Sequence, residues 1–277
     1  MGRSRLSQGF DKPPSVLDSA LRLQILFLMP PAGGAEILIR GKVIGSKTMF
    51  TQHHSQLFQE KKRGKAASPP FPQRSSKVYQ VLCQGHRLWV QGSIQKTDLQ
   101  GVAIVGSRSC TESGYQSAFE LSTELAESGV CVVSGLAKGI DGAAHRAALK
   151  ADGRTLAVLG TGLHHIRPRL HASLYQDIIQ NGACLSPFCL DFTGRRDGHN
   201  YLQRNTVIAE LSKVLVVAYA KERSGSMAAA RCALRAGRPV GLMSHIVNTK
   251  SWAEALLDTP GVFVVNGTED VLRMVGH

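Results

Sequence analysis

Five short runs of uninterrupted apolar residues recur along the C-terminal two-thirds of the chain. They are Val102-Ala103-Ile104-Val105, Val130-Cys131-Val132-Val133, Leu156-Ala157-Val158-Leu159, Val214-Leu215-Val216-Val217 and Val262-Phe263-Val264-Val265. Each is too short for a buried helix and lacks the polar alternation of a strand with one wet face. Each therefore reads as a strand covered on both sides. The segments between them have helical length and spacing: Asp141 to Lys150, His171 to Gln180, Asn205 to Leu211, Gly225 to Arg235, Trp252 to Leu257 and Glu269 to Val275. A further helix is expected from Thr111, a capping residue with Glu112 in the first turn, and Gly129 closes it. Its apolar stripe reads Tyr115, Phe119, Ser122 and Leu125-Ala126. Shorter strands are expected at Leu88 to Gly92, Ala183 to Ser186 and Pro239 to Leu242. Strands alternating with helices imply an α/β fold, a doubly wound, mainly parallel sheet with helices on both faces.

The first 77 residues have another texture. Pro13-Pro14, Pro30-Pro31 and Gly33-Gly34 interrupt them, and Ala66-Ala67-Ser68-Pro69-Pro70-Phe71-Pro72 reads as a linker. Within them, Leu17 to Met29 is expected as an amphipathic helix and Glu36 to Ile44 as a helix or a strand. The chain carries 33 Lys and Arg against 20 Asp and Glu, a net charge of +13. Residues 1–100 hold 15 of those bases and 5 of those acids, so most of the excess is N-terminal. The division expected is a basic, partly disordered region over 1–77 and one folded domain over 78–277. A basic arm suits a polyanionic partner, and a solvated tail is the plainer alternative for Lys61, Lys62, Arg63 and Lys65.

No apolar run approaches the roughly 20 residues that span a bilayer, so no membrane association is expected. Leu23 to Met29 is short for a signal sequence and follows Asp11 and Asp18. The 6 cysteines show neither a C-x-x-C pair nor the dense spacing of a disulfide framework, which suits reduced thiols in a cytoplasmic protein.

In a doubly wound sheet, ligands sit beyond the carboxyl ends of the strands. The loop after the first long strand, Gly106-Ser107-Arg108-Ser109, places an arginine there but lacks the G-x-G-x-x-G of a dinucleotide site. Ser134-Gly135-Leu136-Ala137-Lys138-Gly139-Ile140-Asp141 leads into a helix. It offers glycine-flanked amides and Lys138 to an anion, or else a plain turn in which Asp141 caps the helix. Gly160 to Arg169 carries Arg167 and Arg169; its adjacent His164 and His165 lack the i,i+4 spacing of a metal pair, and no metal is expected. Asp191 to Arg204 carries Arg195-Arg196, His199, Tyr201 and Arg204. Ser224-Gly225-Ser226 opens a helix that can hold an anion. Arginines with an interleaved tyrosine suit single-stranded nucleic acid, where charge follows the backbone and a ring stacks on a base.

Taken together, five motifs resemble the DprA/Smf family of DNA-processing proteins. They are the Val102 to Arg108 strand and G-S-R turn, Ser134 to Asp141 with Ala144-His145, and Leu159 to Leu163 with Pro168. The other two are Gln203-Arg204-Asn205 with Ile208-Ala209 and Leu211-Ser212, and Ser224-Gly225-Ser226-Met227. The resemblance implies a Rossmann-like domain that binds single-stranded DNA, forms a homodimer, protects incoming DNA in natural transformation and hands it to the RecA recombinase. It implies no enzymatic reaction and no cofactor. By position it assigns nucleic-acid contacts to Arg108, Lys138, Arg169, Tyr201 and Arg204. The anion loops are Gly106, Ser107, Gly135, Gly139, Ser224, Gly225 and Ser226.

The chain departs from the family pattern at several positions. Arg167 stands for Tyr, His171 for Asn, Pro187 for an acidic residue, Leu202 for Pro, Thr206 for Arg and Ala229 for Thr. The lost arginine at position 206 lowers the expected affinity, whereas Tyr201 for Phe keeps the ring. Two alternatives stay within this fold superfamily. One is a nucleotide-binding sensor. The other is a phosphoribohydrolase-like enzyme with Glu222 as its carboxylate, although the P-G-G-x-G-T-x-x-E signature is missing.

Overall fold

The computed structural model describes residues 26–28, 77–195 and 197–276. The expectations at Glu36 to Ile44, at Lys61 to Lys65, at the Ala66 to Pro72 linker and at Arg196 lie outside these residues. The strands are β1 (Leu26–Leu28), β2 (Val78–Cys83), β3 (His86–Gly92), β4 (Val102–Gly106), β5 (Val132–Ser134), β6 (Thr155–Val158), β7 (Gly182–Ser186), β8 (Val214–Tyr219), β9 (Val240–Met243) and β10 (Val262–Val265). They form one sheet in the order β1-β2-β3-β7-β6-β5-β4-β8-β9-β10. From β7 to β10 every neighbouring pair is parallel; β1, β2 and β3 join antiparallel at one end. The chain starts the parallel part at β4, moves outward through β5, β6 and β7, and returns to the other flank of β4 as β8. The sheet thus reverses direction between β4 and β8, which makes it Rossmann-like and fixes where a crevice opens.

The helices are α1 (Glu112–Glu127), α2 (Ile140–Lys150), α3 (Ala172–Asn181), α4 (His199–Glu210), α5 (Gly225–Arg235), α6 (Ser244–Val247), α7 (Ser251–Leu256) and α8 (Thr268–Val275); all but α4 and the unexpected α6 fall close to their expected places. Thr111 caps α1 by accepting from the Gly114 amide at 3.1 Å, and Gly129 follows its end with φ at 76°. The buried residues of α1 are Gly114, Ala118, Leu121, Ser122, Leu125 and Ala126, which include the C-terminal half of the expected stripe. Tyr115 and Phe119 are only partly buried. Helix α2 packs against α1 and buries Ala143, Ala144, Ala147 and Ala148 completely.

Three departures have local causes. The expected Leu17 to Met29 helix is contradicted at Leu26–Leu28, whose backbone pairs antiparallel with Gln80 to Leu82 and so covers the edge β2 would otherwise leave open. Strand β2 was not anticipated. It joins β3 through Gln84-Gly85, both with positive φ (49° and 79°), the turn geometry that suits a tight hairpin. Helix α4 begins six residues before the expected Asn205, because Gly198 turns the chain with φ at 71° and Asp197 accepts from the His199 amide at 3.0 Å. Tyr201 and Arg204 therefore sit on a helix, three residues apart on one face.

The core also encloses polar side chains, several of them hydrogen-bonded within the fold. Thr155 Oγ1 donates to the Val132 carbonyl at 2.7 Å, so it must accept from His145 Nδ1, also at 2.7 Å. That fixes the proton of the fully buried His145 on Nδ1 and leaves Nε2 bare and unpartnered. Burial, with nearby positive groups, pushes the imidazole down to about 3. No helix among the described residues is long and apolar enough to cross a membrane.

Candidate functional site

A cleft of about 410 Å³ opens outside the carboxyl ends of β4 and β8, where the sheet reverses. The turn after β4 supplies one wall. Gly106 is required there by close approach: a Cβ would lie 2.4 Å from the Ile140 side chain and 2.7 Å from the Tyr219 carbonyl. Gly139, with φ at 72°, presses equally near the Ser107 carbonyl. The two loops are thus pinned together, and Arg108 is left exposed at the mouth.

The opposite wall is α4. Tyr201 lies against Gly160, where a Cβ would meet the ring at 2.6 Å. The Arg108 guanidinium stands 5.2 Å from the ring centroid and that of Arg204 5.7 Å, both within cation–π range. The floor is the N-terminus of α5. Ser224 Oγ accepts from the Met227 amide at 3.4 Å and shares a 2.8 Å hydrogen bond with Ser226 Oγ. Nothing stands within 4 Å of a Cβ at Gly225, so this helix end is open to an anion. Asn205 ties α4 to it by donating to the Gly225 carbonyl at 3.2 Å.

Beneath these walls lies an ion pair. Arg204 Nη1 is 3.7 Å from Asp141 Oδ2, and both side chains are 7% exposed. Burial pushes the carboxyl up and the guanidinium down; each is the largest opposing influence on the other. The Ala137 and Gly106 amides also favour the carboxylate. Arg204 reaches Asp141 through the space a side chain at residue 135 would take: a Cβ on Gly135 would lie 1.2 Å from Nη1.

Of the residues expected from sequence, Gly106, Ser107, Arg108, Tyr201, Arg204, Ser224, Gly225 and Ser226 line this one cleft. Lys138 and Arg169 are exposed but do not line it, and Gly135 and Gly139 act in packing rather than as lining. The Ser107 amide donates to the Tyr219 carbonyl at 2.8 Å and is committed within the fold. Asp141 does not cap α2, whose cap position is Gly139. Its pairing with Arg204 was not anticipated, nor were Lys221 and Asn205 as lining residues. Lys221 was open to the same reasoning as Arg108, since it follows the carboxyl end of β8. Glu222 is exposed and outside the lining. Among the described residues, no three His, Cys, Asp or Glu side chains are gathered to hold a metal ion.

Fold and cleft together define a doubly wound domain with a cationic, ring-bearing crevice at its switch point. Comparison with known proteins gives the class a family. Residues 65–275 match the model of DNA recombination-mediator protein A. The protein Smf of Escherichia coli is 41% identical over 188 residues, covering 67% of this chain and 50% of that one. The DNA processing protein DprA of Streptococcus pneumoniae is 36% identical over 186 residues, covering 67% and 65%. The X-ray structure of the Streptococcus pneumoniae protein superposes with a TM-score of 0.60 at 35% identity, over 68% of this chain and 65% of that one. A structure of the Helicobacter pylori DprA, described for its single-stranded DNA binding mode, also gives 0.60, at 29% identity over 68% and 86%. The chain belongs to the DprA/Smf family of DNA-processing proteins. It spans about half the length of several curated relatives it matches.

Proposed function

We propose that this chain binds single-stranded DNA in the β4–β8 cleft and acts in DNA processing during transformation and recombination. The observation that carries this reading is the Tyr201 ring with two guanidiniums beside it, above an open helix N-terminus. A ring accepts any base by stacking, and cations with helix amides follow the phosphates. Arg108 and Lys221 are the exposed cations at the cleft, and Lys138 and Arg169 extend the positive surface beyond it. The relatedness to a DprA whose structure is described for single-stranded DNA binding supports the same reading. Protection of the strand, transfer to RecA, homodimer formation and residence in the cytoplasm belong to the proposal, as does the division into a basic region over 1–77 and a domain over 78–277.

The role is binding rather than catalysis. Asp141 is the one carboxylate among the lining residues, and Arg204 holds it. That ion pair occupies the carboxylate, which supports a binding role.

Fluorescence anisotropy of a labelled oligo-dT, titrated with protein at two salt concentrations, tests the reading. Binding weakens as salt rises, with a logarithmic slope of about −0.7 per phosphate neutralised. Arg108→Ala binds more weakly and with a shallower slope. Absence of binding at low salt overturns the reading. The cleft volume also suits a single nucleotide. Thermal stabilisation by a nucleoside monophosphate without oligonucleotide binding favours a sensor instead.

A further inference from the structure

A carboxylate in a cleft for a polyanion calls for a reason. Asp141 lines the cleft, yet its charge repels phosphate, and burial opposes it as well. Arg204, two helical elements away, has the matching peculiarity. Its side chain is 7% exposed, Nη1 is turned toward Asp141, and Nε is sealed from solvent without a partner. An arginine that grips a phosphate presents its N–H edges to the strand. This one has an edge turned inward, and its guanidinium carbon lies 5.7 Å from the Tyr201 ring centroid.

We infer that Asp141 is a positioning residue for strand binding: through the channel at Gly135 it holds Arg204 against Tyr201, and Arg204 touches no phosphate. The inference rests on the DNA-binding reading above and divides labour within that site. Arg108 is the cation that meets the strand. Arg204 is a brace, held by Asp141, that sets the ring where a base can stack. Gly135 is part of the same device, since only a residue without a side chain leaves the guanidinium its path.

The test sets electrostatics against positioning. Asp141→Asn removes a negative charge from the cleft, so a simple field effect tightens oligo-dT binding. Positioning weakens it at least tenfold with the salt slope unchanged. Arg204→Met likewise loses affinity at constant slope, whereas Arg108→Ala lowers the slope by about 0.7. Gly135→Ala provides a variant that alters no charge. Its methyl group displaces the guanidinium, and the same loss of affinity follows. Thermal melting of each variant confirms that it is folded at the assay temperature. Wild-type-like or tighter binding by Asp141→Asn or Gly135→Ala overturns the inference, as does a slope change in Arg204→Met equal to that of Arg108→Ala. Failure of the wild type to bind overturns the DNA-binding reading, and the inference with it.

Discussion

Arg154 grips both carboxylate oxygens of Asp98, Nε to Oδ1 at 2.6 Å and Nη2 to Oδ2 at 2.7 Å. The Asp98 side chain is 1% exposed, and the Gln95 amide also donates to Oδ2 at 2.7 Å. Nη2 reaches the Ser93 carbonyl as well, at 2.7 Å. One side chain thus fastens the turn entering β4 to the start of β6. Arg154→Met leaves that carboxylate buried and without its cation. The expected cost is about 3–5 kcal/mol, the range for breaking one partner out of a buried pair. Urea denaturation of the variant checks it, and a change below 1 kcal/mol shows that water or a neighbour replaces the guanidinium.

The two arginines beside Tyr201 separate on stability. Arg108 is exposed, so Arg108→Ala changes unfolding free energy by no more than about 0.5 kcal/mol. Arg204→Ala strands Asp141 inside the protein, with an expected loss of about 3–5 kcal/mol. Paired thermal melts at neutral pH distinguish them. Equal melting temperatures refute the buried pairing.

His145 sets a pH dependence of known sign. Its folded-state value lies at about 3, below the ordinary 6.5, because burial disfavours the imidazolium. The unfolded chain therefore takes up a proton at a pH where the folded protein does not. The contribution is complete above 6.5 and is lost progressively as pH falls toward 3. At pH 5 the loss relative to pH 8 is about 2 kcal/mol. Burial raises Asp141, which acts in the opposite sense at the acidic end. Urea midpoints from pH 8 to pH 5 measure the slope, and His145→Gln flattens it.

Gly160→Ala drives a methyl group into the Tyr201 ring at 2.6 Å. The ring moves, no charge changes, and oligo-dT affinity falls about tenfold at constant salt slope. An unchanged affinity removes Tyr201 from the binding surface.

Much of the scaffold was legible because its strands are buried on both faces. Val102 to Val105 and Val214 to Val217 are apolar at every position, and such runs have few other readings. The start of α5 was equally plain, since Ser224 is a capping residue followed by a helical pattern. The Val78–Cys83 strand was missed because Gln80 and the partly buried Val78 and Tyr79 dilute its pattern; the Gln84-Gly85 turn was its available signal. At the site, loop position and residue type were enough to find Arg108 and Ser226. They were not enough to place Arg204 indoors. Whether an arginine faces solvent or a carboxylate depends on a helix start at Gly198 and on an opening at Gly135, both tertiary matters.

The threading of Arg204 past Gly135 also has an evolutionary consequence. A side chain at 135 collides with the guanidinium, and loss of the guanidinium leaves both an orphaned acid at 141 and an empty channel. Single steps away from this arrangement pass through damaged intermediates. Positions 135, 141 and 204 are therefore expected to change together or not at all, as one inherited character shared between the 135–141 segment and a distant residue on α4.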